Sequence, residues 1–436
     1  METCFGFAST RIIRMKSAWL VALVAGGLIF ATPEPLRSQD AALPWKTNDP
    51  IVEVKKEIYR KHGPKGAALA YVWYVGPKLE RLEIASVEAT DDVHSDHVRR
   101  FSSDNGRTWS PFPAVPNNDV QYEGKTVWEG DGHPFYDRQA GVLIEPWLRQ
   151  IVVGGIYNGF TYYRLSRDYG KTWSAPKQFK YEDGPDFDPK DPHNPAFIAV
   201  NQGHLGNTII QHSNGTLIHP LMLANAPDDP DNATRPWKMG SLCMVGRWNP
   251  SMEDYDWKAG KRVQISPEVS GRGLLEPEAA ELADERVLVV YRTNSGHMYH
   301  SVSSDGGLTL SNPAELKYDD GTSFHAPSAY HRMLRHSQTG KLYWFGNISA
   351  TKPDGNTPRY PLVIAEVDET IPALKKKTVS VIDDRRPDQP GGIQLSNFQV
   401  IEDRESHQLE LYLTIYGEDA TNAYHANAYK YIAKLK

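Results

Sequence analysis

The feature that most constrains the fold is an octapeptide that occurs three times. Ser102-Ser-Asp104-Asn-Gly106-Arg-Thr108-Trp109 returns as Ser166-Arg-Asp168-Tyr-Gly170-Lys-Thr172-Trp173 and as Ser303-Ser-Asp305-Gly-Gly307-Leu-Thr309-Leu310. All three read S-x-D-x-G-x-T-(W/L). The Asp positions are 64 and 137 residues apart, and the second interval is close to twice the first, which sets a unit of about 65 residues. A degenerate copy is expected at Ala365-Glu-Val-Asp368. Each box carries turn chemistry: Ser and Asp side chains bond the turn's own backbone, Gly supplies a positive φ, and Trp anchors the turn from beneath. The box therefore reports on fold and not on catalysis.

Around the boxes the chain alternates like short strands. Ala67-Ala-Leu-Ala-Tyr-Val-Trp-Tyr-Val, Gln150-Ile-Val-Val-Gly-Gly-Ile-Tyr, Arg286-Val-Leu-Val-Val-Tyr and Lys341-Leu-Tyr-Trp-Phe are β-branched or aromatic, with turns such as Ser213-Asn-Gly-Thr between them. No long amphipathic helical period stands out. Short strands in units of about 65 residues predict an all-β chain, a six-bladed β-propeller, in which radial closure manages the exposed sheet edges. The 436 residues suffice for about six units, and 23% charged with 11% aromatic residues excludes a disordered chain. Lys+Arg 48 against Asp+Glu 54 gives a net charge of −6, so bulk charge gives no support to a nucleic-acid partner.

The N-terminus reads as a leader. Arg11, Arg14 and Lys16 precede an uncharged apolar run from residue 17 to 31, the pattern of a secretory signal peptide. The run is short for a membrane span of about 20 residues, so no stable span is expected after its removal. Residues 1–40 are expected to be the signal peptide and a short linker, and residues 41–436 a single propeller domain. Cys4 leaves with the leader, so Cys243 is alone and no internal disulfide forms. Export without disulfides fits a secreted or periplasmic protein.

The boxes resemble the Asp-box, or BNR, repeat of the sialidase (neuraminidase) superfamily of six-bladed propellers. A second stretch carries the resemblance further. Leu275-Glu276-Pro-Glu278-Ala-Ala-Glu281-Leu-Ala-Asp284-Glu-Arg-Val-Leu-Val-Val-Tyr291-Arg292 is similar to the segment in which that family's Glu supports the nucleophile and the following Arg binds the substrate carboxylate. The resemblance spans about residues 90–415, with Glu285 standing where the family has Gly. It implies Glu276 as a catalytic residue, Arg292 and Arg359 as the second and third carboxylate-binding arginines, and Asp91 or Asp92, shortly before the first box, as the general acid. The family's first arginine has no matching motif here, and Arg60 is the nearest residue to fill its place. The family's nucleophilic Tyr is also missing: the corresponding stretch reads Gly392-Ile-Gln394-Leu395-Ser396-Asn-Phe398. Tyr416 or Tyr424 could substitute, whereas Tyr291 neighbours Arg292 on one strand and should face the other way.

The expected partner is a glycan or oligosaccharide with a terminal acidic sugar. Arginines would hold its carboxylate bidentately, an acid would protonate the leaving oxygen, and a Tyr made nucleophilic by Glu would attack the oxocarbenium-like centre. Taken singly, an Arg at a strand end is an ordinary surface ion pair, and only its spacing from Glu276 lifts Arg292 above that. Without a Tyr, Glu276 with Asp91 or Asp92 offers a base and an acid for hydrolysis of another sugar. A third route uses His as base on a uronate, as in a polysaccharide lyase. His133, in Gly-Asp-Gly-His-Pro, is placed among the substrate-binding residues, although most of the 15 histidines read as turn residues. A glycan-binding propeller without catalysis is the alternative of a different class. His94 and His97 lack a third ligand at zinc spacing, and no metal or cofactor is expected.

Overall fold

The computed structural model describes residues 43–89, 97–112, 119–122, 124–130, 132–224 and 239–436. The expected leader lies outside them, as do Asp91, Asp92 and His94. Among the described residues no helix is long and apolar enough to cross a membrane.

Six small antiparallel sheets stand in a ring, making a six-bladed β-propeller. The first blade is Ala67–Tyr74, Arg81–Ala89 and Val98–Ser102, and the fourth is Leu275–Glu281, Val287–Arg292, Tyr299–Ser303 and Ala314–Glu315. The fifth is built on Arg332–Arg335, Leu342–Asn347 and Leu362–Asp368. The sixth blade closes the ring. Its strands Phe398–Glu402, Leu409–Thr414 and Ala428–Leu435 are joined by Val52–Arg60, which pairs antiparallel with Ala428–Leu435 from the opposite end of the chain.

The boxes sit where the repeat predicts, each in the turn after the third strand of its blade. In the first, Ser102 Oγ donates to Asp104 Oδ1 (2.8 Å) and accepts from Gly106 N–H (2.8 Å), while Asp104 accepts from Thr108 N–H (2.9 Å) and Thr108 Oγ1–H (2.6 Å). The second repeats the four contacts at 2.8, 2.8, 2.8 and 2.7 Å. These donors hold the carboxyls of Asp104 and Asp168 down at about 2. The stretch at Asp368 ends the third strand of the fifth blade, where Asp368 Oδ1 accepts from Thr370 N–H at 3.0 Å and from Ile371 N–H at 3.3 Å, a turn without the Ser and Thr contacts of a box.

The second blade carries an excursion. Its strands Val142–Val153 and Ile156–Ser166 run past the length of the others, and Val142–Val153 pairs with Lys125–Gly130 of an added hairpin whose other strand is Asp119–Tyr122. That hairpin leads directly into Gly132 and His133 at the axis. Gly132 is held so close to the neighbouring strand that a Cβ there would lie 1.1 Å from the Pro146 carbonyl oxygen.

The second box gives a test of the turn. Gly170 has φ +92°, and a Cβ would press on Leu143 and Trp173 at 3.3 Å, whereas Gly141 has φ +66° with open space around it. Gly141→Ala is expected to cost the backbone term alone, about 1–2 kcal/mol, and Gly170→Ala that term plus the packing clash. Thermal unfolding of the two variants measures the difference; equal losses would contradict this packing.

Candidate functional site

An axial cavity of about 230 Å³ is lined by residues of four blades and of the second-blade excursion, among them Tyr71, Trp73, His133, Glu276, Tyr330 and Gln399. Tyr71 and Trp73 lie two apart on one strand, so both rings reach the same face.

Glu276 comes from the opening strand of the fourth blade, at a β-bulge between Leu275 and Glu278, with a backbone φ of +43°. Such a backbone conformation on a residue with a side chain persists only where the surrounding fold imposes it, here at the bulge. Leu275 pairs directly with Arg292 across the hairpin, which is why residues 16 apart in sequence meet. Arg292 Nη1 donates to Glu276 Oε1, its Nε donates to Ser328 Oγ (2.9 Å), and its Nη2 donates to Asn356 Oδ1 (3.1 Å). Glu276 Oε2 is buried and accepts no hydrogen bond from the described residues.

Arg359 joins the same cluster. Its Nε donates to the Asn356 carbonyl (3.2 Å), and its Nη1 donates to Gln394 Oε1 (2.9 Å). Asn356 thus stands between the two arginines named from sequence. A further arginine, Arg272, was not legible there. It precedes the fourth blade and is half-buried, without a side-chain hydrogen bond or ion pair among the described residues. Burial and the adjacent charge of Arg292 lower its pKa, while Glu276 raises it.

The structure does not bring Arg60 into this cluster. It lies on the outermost strand of the sixth blade, where Nη2 donates to Glu83 Oε1 (2.5 Å) and the guanidinium covers Phe112 at 4.6 Å. Tyr416 and Tyr424 pack against each other and against Ala67, Leu69 and Ala426. Tyr291 is fully buried in the core beside Cys243. Leu395, where the resemblance expects a Tyr, is buried at 1% exposure in the core between the last two blades. Among the described residues no tyrosine hydroxyl bonds Glu276.

A buried polar network underlies the cavity. Arg332, on the fifth blade, donates through Nη1 to Gln399 Oε1 (3.0 Å), Tyr330 Oη (3.3 Å) and the Asn207 carbonyl (3.4 Å). It also faces Glu278 Oε1 at 3.2 Å. The same Asn207 carbonyl accepts from His133 Nδ1–H. Tyr330 and Arg332 fall in the stretch His325-Ala-Pro-Ser-Ala-Tyr-His-Arg-Met-Leu, which is similar to the following blade of the sialidase family, but the resemblance assigns neither residue a role. Only their position at the opening of a blade could have marked them. The His133 ring lies tilted against Trp73, 5.7 Å between centroids. Desolvation and the charge of Arg332 push His133 down to about 4; burial pushes Tyr330 up to about 12 against the pull of Arg332.

Residues 144–374, more than half of the chain, match the model of the BNR repeat-like domain. The chain belongs to this BNR repeat-like family. Among solved structures it is similar to a protein of unknown function from Dyadobacter fermentans, with TM-score 0.58 and 15% identity over 89% of this chain and 100% of that one. The NanB sialidase of Streptococcus pneumoniae, as a mutant, gives 0.57 and 12% over 87% and 70%. The intramolecular trans-sialidase of Ruminococcus gnavus gives 0.52 and 13% over 86% and 95%. No curated protein matches the sequence. The chain is thus a sialidase-like BNR propeller.

Burial of histidine gives this BNR propeller a measurable acid sensitivity. His133 is pushed down to about 4, and His219 and His331, both fully buried, to about 3. In the unfolded chain each titrates near 6.5, so between about pH 6.5 and 4 the unfolded state binds protons that the folded state refuses, and stability falls on acidification. Glu278 has the opposite sign: burial raises it to about 7, and it takes up one proton in the folded state. Three against one leaves an excess of about two protons on unfolding near pH 5.5. The pH dependence of the unfolding midpoint should show that slope, and a flat profile from pH 6.5 to 5 would refute it.

Proposed function

We propose that this protein is an exo-acting glycoside hydrolase of the sialidase type that acts on terminal acidic sugars of glycans. One observation carries the reading: Glu276 stands at an axial cavity with one oxygen held by Arg292 and the other buried and, among the described residues, unpaired, while Arg272 lies beside the pair and forms no ion pair among them. A sugar carboxylate would complete that charge set, because a guanidinium binds a carboxylate through two parallel hydrogen bonds. The sugar ring would lie along Tyr71 and Trp73, and the free oxygen of Glu276 would face the anomeric centre as positive charge develops there. The leaving-group acid is assigned to Asp91 or Asp92 on sequence grounds. The likeness to sialidases supports a glycan-active propeller and does not extend to the substrate.

The test is a screen of terminal sialosides and uronate-containing glycans. Glu276→Gln is expected to lower kcat by about 10²- to 10⁴-fold and Arg272→Ala to raise KM, with the fold retained in both. Turnover unchanged in Glu276→Gln, or binding without any turnover in the unaltered protein, would refute the hydrolase reading. A second reading, elimination from a uronate, is favoured by the neutral His133 and Tyr330 on the same cavity. It requires an unsaturated product that absorbs in the ultraviolet.

We also propose that the chain is exported through the leader at residues 1–40. Expressed with it in a bacterium, the protein is expected outside the cytoplasm and cut between Ala31 and Ala42. Cytoplasmic protein with an intact N-terminus would refute export.

A further inference from the structure

We propose that the second blade carries a second, non-catalytic binding site, apart from the axial cavity, and that this site takes a neutral pyranose of an oligosaccharide. The inference goes beyond the hydrolase reading and does not depend on turnover. The site is a groove of about 600 Å³ on the excursion of the second blade, a volume in the range of small-molecule sites. Its lining shares no residue with that of the axial cavity.

Strand pairing builds the wall of the groove. Trp147 pairs with Tyr162, and Tyr162 pairs with Gln178 of the short strand Lys177–Gln178, so the three side chains share one face. Arg149, two residues after Trp147, joins that face. Its guanidinium lies 4.4 Å from the centre of the Tyr162 ring and 4.0 Å from that of Phe187, and Tyr122 meets Phe187 edge-on at 5.4 Å. Tyr122, Tyr162 and Phe187 all line the groove, and so does Gln178. Both amide atoms of Gln178, Nε2 and Oε1, are buried and have no hydrogen-bond partner among the described residues. A buried amide left in that state costs free energy that a ligand can return. Its terminal torsion is soft, so the amide turns to meet a partner at little cost, and it offers a donor and an acceptor side by side.

The chemistry of the lining selects the ligand class. Each cation on the wall already has a carboxylate. Arg149 donates to Glu129 Oε1 through Nε (2.9 Å) and Nη2 (2.7 Å), Lys180 donates to Asp186 Oδ1 (2.5 Å), and Lys177 donates to Asp254 Oδ2. An ionised carboxylate on the ligand would have to compete with these partners, and because it only accepts it would leave Gln178 Oε1 without a donor. An apolar ligand would leave the whole amide unpaired. A pyranose hydroxyl both donates and accepts, so adjacent hydroxyls satisfy the amide oxygen and nitrogen together. The C–H face of the same sugar ring then lies against the aromatic side chains, the usual division of labour between apolar surface and a few placed polar groups.

The test is isothermal titration calorimetry of the whole protein with linear hexasaccharides of glucose, mannose, galactose and xylose, and with hexagalacturonate as the acidic probe. At least one neutral hexasaccharide is expected to bind, and hexagalacturonate is expected not to displace it. Gln178→Leu should weaken that binding about tenfold while the unfolding midpoint stays level or rises, because the change removes an amide that the protein itself does not pair. Phe187→Ala should weaken binding as well, and Trp73→Ala, on the wall of the axial cavity, should leave it unchanged. The inference is overturned by the absence of binding to every neutral hexasaccharide at millimolar concentration, or by displacement with hexagalacturonate. It is also overturned if Trp73→Ala abolishes binding that Gln178→Leu leaves intact, or if Gln178→Leu lowers the unfolding midpoint, as a glutamine with a purely structural role would. Each of these results leaves the hydrolase reading standing, since that reading is decided by turnover at Glu276.

Discussion

Everything at the axis depends on the closure of the ring. Six blades bring their opening strands to one point only if the last sheet is finished by a strand from the start of the chain, here Val52–Arg60 on Ala428–Leu435. The seam between the last blade and the first is also locked ionically. Arg81, fully buried on the first blade, donates to Asp403 Oδ2 (2.6 Å) and Glu410 Oε2 (2.8 Å) of the last. Asn105 of the first box donates to the same Asp403 (2.8 Å). Removing one partner of such a buried set leaves an uncompensated charge, at a cost of about 3–5 kcal/mol. The seam is therefore held by groups that tolerate little change, and the site inherits its rigidity.

That rigidity lets a strained backbone persist at Glu276. A positive φ on a residue with a side chain is unfavourable by itself, and the surrounding fold has to impose it. Here the bulge beside Leu275 and the pairing of Leu275 with Arg292 impose it, and the result is a carboxylate turned toward the axis with one oxygen unpaired. Arg332 works from the opposite side. Contacts to Glu278, Asn207, Tyr330 and Gln399 tie four blades through one guanidinium, so a shift in any blade opening is felt by both His133 and Tyr330.

The boxes were legible in sequence because each is a local structure: four side-chain contacts and one glycine within eight residues, with no need of the rest of the chain. Glu276 and Arg292 were legible for a related reason, since a hairpin brings them together at a spacing that sequence preserves. Arg272, Tyr330, Arg332 and the Asn207 carbonyl carry no such mark. Each contributes through the closure of the ring, from a different blade, and a backbone carbonyl has no sequence signature at all. Arg60 shows the converse error. A motif search seeks an arginine near the start of the chain, but the start of this chain is the outer strand of the sixth blade, where an arginine pairs with Glu83.

The charges also explain why bulk composition was silent. A protein of net charge −6 can bind an anion only where cations outnumber their own partners locally. Arg292 is neutralised by Glu276, and Arg332 faces Glu278, so neither guanidinium alone offers net positive charge. Among the described residues Arg272 makes no side-chain hydrogen bond or ion pair, and its half-buried side chain lies beside the Arg292–Glu276 pair. Glu276 therefore faces two guanidinium groups, bonding Arg292 and acting on Arg272.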